Sequence, residues 1–330
     1  MRAPSFWNNT SQSPGLIARL LQPLGWTYAY ATARRLRSGI AYRARVPVIC
    51  IGNLHAGGTG KTPVVVAFCE RLHNRGHKVF VVSRGYGGTI EGPCLVDAAK
   101  HLAAEVGDEP ILLSNFAPTI VSKDRAAGVS LAESLGAEVI VLDDGFQNPS
   151  VHKDLSVIVV DAETGFGNGL CLPAGPLREP VSVGLKRANI VLTVGAPEAQ
   201  ARFFEGWHVP SGIISLSGQL TPLATGMDWQ DARVIAFAGI ARPEKFFATL
   251  RDLGAEVLRG ESLADHQPLP DALLRRLELE AYAKGAQLVT TEKDAARLPQ
   301  AFLPKVLVLV VRLQIAELTQ FDAALTKLGL

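Results

Sequence analysis

Cysteine is scarce in this chain of 330 residues: Cys50, Cys69, Cys94 and Cys171 are all it has. None belongs to a CxxC pair, and no cysteine–histidine cluster has zinc spacing, so neither a disulfide framework nor structural zinc organises the fold. Long apolar runs are missing too. The run at 306–311 falls far short of the roughly 20 residues a bilayer span needs and reads as a core strand. Residues 1–14 are polar and lack the apolar stretch of a secretion signal. Acid is absent from the first 45 residues, which hold seven arginines: Arg2, Arg19, Arg34, Arg35, Arg37, Arg43 and Arg45. The rest of the chain has 26 basic against 31 acidic side chains, an acidic body behind a basic arm. That balance, with no recognition-module pattern, excludes nucleic acid as a partner.

What is present is a globular composition, 48% hydrophobic and 19% charged, long enough for about two domains. In the basic arm, Ile17, Leu20, Leu21, Leu24 and Tyr28 recur at helical spacing and give one apolar face. Arg19, Gln22 and Pro23 argue against a clean span, and Trp26, Tyr28 and Tyr30 are residue types of the membrane–water boundary. The segment reads as an amphipathic helix lying on a lipid surface, the alternative being an ordinary helix packed on the body. Beyond residue 45, short β-branched runs alternate with helical periodicity. Strands are expected at 46–51, 78–82, 119–121, 139–142, 157–160, 190–194 and 213–216, with helices at 61–74 and 125–135. Residues 163–184 are rich in glycine and proline, a long loop of the kind that carries function. A second set follows: strands at 234–238, 257–258, 288–290 and 306–311, helices at 243–253 and 273–284. The expected fold class is α/β: a P-loop NTPase-like parallel-sheet domain at 46–225, a smaller α/β lobe at 226–330, and the membrane-associated helix and basic arm at 1–45.

The strongest motif is Gly57-Gly58-Thr59-Gly60-Lys61-Thr62, after a strand and at the head of a helix. Glycines there let backbone N–H groups point at a phosphate; Lys61 would reach the outer phosphates, and the Thr62 hydroxyl could ligate Mg²⁺. The strict pattern wants glycine where His55 stands. An apolar strand ending in Asp143-Asp144 supplies the acid such a loop requires for its metal. Adjacent carboxylates on a strand end face opposite ways, so the two should differ in role. Asp108-Glu109 ahead of Pro110 and Asp265-His266 ahead of a helix are further acids and a histidine, weak signals taken alone.

Taken in order, Gly52-Asn53 with the phosphate loop, Ser83-Arg84-Gly85-Tyr86-Gly87, Gly107-Asp108-Glu109-Pro110, Lys123-Asp124-Arg125, Asp143-Asp144-Gly145-Phe146-Gln147, Pro176-Leu177-Arg178-Glu179-Pro180, Asp265-His266 and Thr290-Thr291-Glu292-Lys293-Asp294 resemble the tetraacyldisaccharide 4′-kinase family, the lipid A 4′-kinases of Gram-negative bacteria. The resemblance spans nearly the whole chain. It departs at the histidine motif, where Leu263 and Gln267 replace the family's usual phenylalanine and second histidine. It implies transfer of the ATP γ-phosphate to the 4′-hydroxyl of a lipid disaccharide substrate, tetraacyldisaccharide 1-phosphate, by a monomer peripheral to the inner-membrane lipid surface on its cytoplasmic face. It puts the family's catalytic aspartate on Asp108 and its partner histidine on His266. Thr62, Glu109, Asp144 and Asp143 are then the candidate Mg²⁺ ligands, and Gln147, Arg125 and Arg178 candidates for contacting phosphate. A soluble P-loop ligase and a dimerising membrane-site ATPase are the competing readings. The second would carry a signature lysine where Ala56 stands.

Overall fold

The β-branched runs at 48–51, 139–142 and 234–238 have apolar partners on both faces, so their side chains are apolar without interruption. Val48 and Cys50 pack into one core, while Ile49 and Ile51, one residue along, pack into the other. In this computed structural model, residues 4–38, 41–264 and 267–330 are described. The strands are β1 (Val48–Gly52), β2 (Val79–Ser83), β3 (Cys94–Leu95), β4 (Thr119–Val121), β5 (Val139–Asp143), β6 (Leu155–Asp161), β7 (Ile190–Val194), β8 (Ile214–Pro222), β9 (Arg233–Ala238), β10 (Glu256–Ser262), β11 (Gln287–Thr291), β12 (Val306–Leu309) and β13 (Val311–Ile315). The helices are α1 (Leu16–Arg37), α2 (Lys61–Asn74), α3 (Ala103–Val106), α4 (Asp108–Ser114), α5 (Arg125–Ser134), α6 (Val181–Leu185), α7 (Pro197–Gly206), α8 (Pro243–Asp252), α9 (Asp271–Ala283), α10 (Glu292–Ala295) and α11 (Leu318–Thr326).

Nine strands form one sheet in the order β13-β8-β7-β6-β1-β5-β2-β4-β3. Its seven inner strands run parallel, and β13 and β3 close the edges antiparallel. On one face, α2 and α11 bury Val64, Phe68, Leu72 and Phe321. On the other, α5 and α7 bury Val129, Ala132 and Phe203 beside Phe146 and Phe166. The second sheet, β10-β9-β11-β12, is all parallel, with α8 on one face and α9 on the other. β1 sits between β5 and β6, so the crevice beyond its C-terminal end is where a doubly wound sheet takes a ligand.

Two expectations change. The apolar run at 306–311 is not one strand. It is β12 in the second sheet and the start of β13 in the first, with Val310 between, its carbonyl accepting from the Leu223 amide. The stretch expected as one lobe at 226–330 is therefore split: β13 and α11 return to the nine-stranded sheet, where Leu313, Ile315, Phe321 and Leu325 join its core. The chain thus crosses between sheets twice.

Helix α1 packs through its small residues. Ala18, Gly25 and Thr32 are buried, and a Cβ on Gly25 would stand 3.0 Å from the Cys171 carbonyl of the 163–184 loop. Trp7 donates to the Pro173 carbonyl at 3.1 Å and ties down the segment before it. The opposite face carries Leu16, Ile17, Leu20, Leu24, Trp26 and Tyr30, all more than half exposed. Among the described residues no helix is long and apolar enough to cross a membrane.

Candidate active site

The phosphate loop is braced from beneath by Asn53, which is fully buried. Its Nδ2 donates to the Gly57 carbonyl at 3.0 Å and to the Thr59 hydroxyl at 2.9 Å. Gly60 takes a left-handed conformation, and α2 starts at Lys61 with no side chain capping its first turn. The first amides of a helix have no intrahelical acceptor, so this uncapped end offers N–H groups and positive dipole to an anion. The 163–184 loop flanks the site: Ala56 donates to the Pro176 carbonyl at 2.7 Å and Arg178 to the Leu54 carbonyl at 2.7 Å. His55, in the position where the strict motif has glycine, is held by burial at a pKa of about 4 and is neutral at pH 7. The second lobe reaches the same place, since a Cβ on Gly58 would meet that of Ala241 at 3.1 Å. Arg242, just ahead of α8, and Lys245 in its first turn bridge to Asp161, the last residue of β6, and to Glu163 beyond it at 2.6–3.6 Å.

The two carboxylates at the end of β5 have different surroundings. Asp143 is buried and accepts from the Ser83 hydroxyl at 3.0 Å. Burial first, then the neighbouring charge of Asp144, pushes its pKa up to about 6; Glu109 adds to the push. Asp144, at a positive φ of 51°, turns to the other side. It lies 3.6 Å from Lys61 Nζ and in the fork of Arg178 at 3.0–3.2 Å. Burial alone would raise its pKa; Lys61 and Arg178 outweigh that and hold it below the ordinary value.

Of the residues expected at phosphate, Arg178 faces the site through Asp144 and also donates to Gln147 Oε1 at 3.2 Å. Gln147 is buried, and its Nε2 donates to the Asn53 carbonyl at 2.8 Å and to Glu179 at 3.0 Å. Glu179 in turn is clamped by Arg187, which stacks 4.3 Å over the Phe146 ring. Arg125 is placed differently from its expectation: it is buried and donates to the Asp143 carbonyl at 2.8 Å, bracing the strand end from within.

Asp108 is the first residue of α4 and is buried. Gly107 before it has φ +94°, and a Cβ there would stand 2.8 Å from the Tyr86 carbonyl, so the Ser83–Gly87 and Gly107–Pro110 motifs fit only with glycine at this contact. The second lobe supplies the cations here. Arg297 Nε lies 3.4 Å from Asp108 Oδ2, and Lys293 Nζ 3.0 Å from Glu109 Oε1. His266 and Asp265 lie outside the described residues. Asn53, Arg297, Lys293 and Arg187 were not expected as site residues. Asn53 and Lys293 lie inside motifs already noticed, whereas Arg297 and Arg187 carry no local signal.

Thr62, Asp143, Asp144 and Glu109, expected as Mg²⁺ ligands, offer oxygen donors only, and the charges of Asp144 and Glu109 add to burial in raising the pKa of Asp143. Such a set suits a hard divalent cation. Among the described residues no group of three or more histidines, cysteines or acids is already gathered as a metal cage.

Residues 17–329 match the family model described as tetraacyldisaccharide-1-P 4′-kinase (LpxK). A tetraacyldisaccharide 4′-kinase of Dinoroseobacter shibae is 56% identical over 99% of this chain and 98% of its own. One of Rhodospirillum rubrum is 46% identical, again over 99% and 98%. Among solved structures, LpxK from Aquifex aeolicus in complex with ATP superposes with a TM-score of 0.76 at 25% identity, covering 95% of this chain and 99% of that one.

Proposed function

This chain belongs to the tetraacyldisaccharide-1-phosphate 4′-kinase family, and from that membership we propose that it transfers the γ-phosphate of ATP to the 4′-hydroxyl of tetraacyldisaccharide 1-phosphate. The observation that carries the reading is the convergence of an uncapped phosphate loop, Lys61 beside Asp144, and a buried acid, Asp108, at the head of a neighbouring helix.

A sugar hydroxyl is a weak nucleophile at neutral pH, and phosphoryl transfer depends chiefly on positioning and on neutralising charge. The α2 amides and Lys61 bind the triphosphate. Thr62, Asp144, Asp143 and Glu109 would hold Mg²⁺, which supplies charge neutralisation at the phosphates. Asp108 accepts the proton of the 4′-hydroxyl as the oxygen–phosphorus bond forms and the β–γ bridge breaks, leaving ADP. His266 is proposed to orient that acid from the second lobe. Arg178 holds Asp144 toward Lys61, and Gln147 carries that positioning to Asn53 beneath the loop. The ion pairs from Arg242 and Lys245 keep the second lobe over the phosphate loop and so limit water at the transferring group.

A four-chain lipid stays in its bilayer, so the enzyme works at the surface. The exposed face of α1, with Arg34, Arg35 and Arg37 in its last turn, supports a peripheral contact with anionic lipid. The deciding experiment is transfer from γ-labelled ATP to the acceptor in mixed micelles, with Asp108→Ala in parallel. Loss of about 10²–10⁴-fold in kcat with ATP binding intact is expected of a general base. Near-normal turnover by the variant rules out Asp108 as the base, and absence of labelled lipid with the wild type rules out the acceptor.

A further inference from the structure

Arg297 stands where the two lobes meet, nearly buried, with 7% of its side chain exposed. Each of its nitrogens has a separate neighbour. Nε lies 3.4 Å from Asp108 Oδ2 on the first lobe, an ion pair whose geometry makes no hydrogen bond. Nη1 donates to the Gln267 carbonyl at 2.8 Å, on the loop leading to α9. Nη2 bonds Asp294 Oδ1. Asp294 is itself fully buried and fixed, accepting from the Gly239 amide at 3.0 Å and the Thr291 hydroxyl at 2.7 Å. The guanidinium is thus anchored to the C-terminal ends of β9 and β11 and presents its remaining edge to Asp108. A Cβ on Gly239 would come within 2.6 Å of Arg297 Nη2, so the backbone has been kept bare for this side chain to lie across it.

We propose that Arg297 is a positioning residue for phosphoryl transfer, holding the Asp108 carboxylate toward the acceptor hydroxyl and fixing the loop at Gln267 in the same grip. The proposal rests on the reading of Asp108 as the base. A planar guanidinium with two nitrogens hydrogen-bonded to the second lobe sets its charge at a fixed place beside Asp108, whereas a lysine ammonium on a flexible stem provides a point charge alone. Because the anchor is on one lobe and the acid on the other, the carboxylate is aligned only when the lobes are together.

The test is a double-mutant cycle on the full chain, with the transfer assay in mixed micelles. Arg297→Gln is expected to lower kcat by about 10–100-fold with KM for ATP and for the lipid within about twofold, the pattern of an interaction used in the transition state. Arg297→Lys should recover part of the rate. In an Asp108→Asn background, Arg297→Gln should cost nothing further, since its effect passes through Asp108. Turnover near wild type for Arg297→Gln, or losses that multiply in the double variant, overturns the proposal. Should Arg297→Gln fail to fold, the same cycle with Arg297→Lys decides on the same criteria. If Asp108→Asn itself turns over normally, the base assignment is what has failed. If Asp108→Asn is inactive and Arg297→Gln is not impaired, the failure is that of the positioning role alone.

Discussion

Replacing Asp143 by asparagine should make the ligand-free protein more stable at neutral pH while impairing transfer. Asp143 is buried beside Asp144, and its pKa is pushed from the ordinary 3.8 to about 6. Carrying its charge at pH 7.5 therefore costs the folded state about 3 kcal/mol relative to the unfolded chain. The sign follows from the direction: the folded state holds the proton more tightly. The penalty vanishes well below pH 3.8, grows between 3.8 and about 6, and is constant above. Asparagine has the same shape, carries no charge, and still accepts from the Ser83 hydroxyl. Burying its amide returns about 1 kcal/mol of the gain. A net gain of about 1–3 kcal/mol raises the unfolding midpoint by about 1–4 °C for a chain of this size. Thermal and denaturant unfolding of both proteins at pH 7.5, 6 and 4 reads the effect. The gap should be widest at pH 7.5 and close toward pH 4. An asparagine variant no more stable than wild type at pH 7.5, or a gap that does not narrow with acid, refutes the account of Asp143 as a charge kept at a stability cost for the sake of the site.

Lys61→Ala removes the cation 3.6 Å from Asp144 and should abolish measurable transfer, with ATP affinity lowered at least tenfold in a fluorescent-nucleotide titration; unchanged affinity would exclude Lys61 from the phosphate site. Leu20→Glu with Leu24→Glu changes two exposed side chains of α1 and should leave the melting temperature unchanged while reducing co-sedimentation with anionic vesicles several-fold; equal pelleting would reject α1 as the lipid contact.

The parts of this molecule legible in its sequence are those whose physics is local. A strand buried on both faces must be apolar throughout, so β5, β6, β7 and β9 can be read directly. A phosphate loop needs glycines at set positions before a lysine, which marks residues 57–62. Where two buried strands follow one another, apolar composition runs on without a mark. For that reason β12 and β13 read as one strand although they lie in different sheets. Helix α1 shows the same limit from the other side. Hydrophobic periodicity picks out Ile17, Leu20 and Leu24, which face outward, while the face that packs on the body does so through Ala18, Gly25 and Thr32, whose small side chains leave no hydrophobic signal.

Charged residues are the hardest to place, because one arginine in sequence looks like another. Arg125 and Arg178 both lie in recognisable motifs and both invite a phosphate role. What separates them is tertiary. Arg125 enters the core and spends a guanidinium nitrogen on the Asp143 carbonyl, whereas Arg178 comes in from the 163–184 loop and meets Asp144 at the surface of the site. Arg297 lies three residues beyond a motif and nearly 190 residues from Asp108, and only the packing of α10 against α4 brings them together. The chain's second crossing between sheets, from β12 to β13, explains how so short a helix can hold that position. α10 leaves the end of β11, and from the far side Arg312 of β13 bridges to Glu292 at its first residue at 2.8 Å and to Glu70 of α2 at 3.4 Å. The helix that carries Lys293 and leads to Arg297 is thus fixed by both sheets at once. The same crossing that hides the lobe boundary in the sequence brings the second lobe's cations to the first lobe's acids.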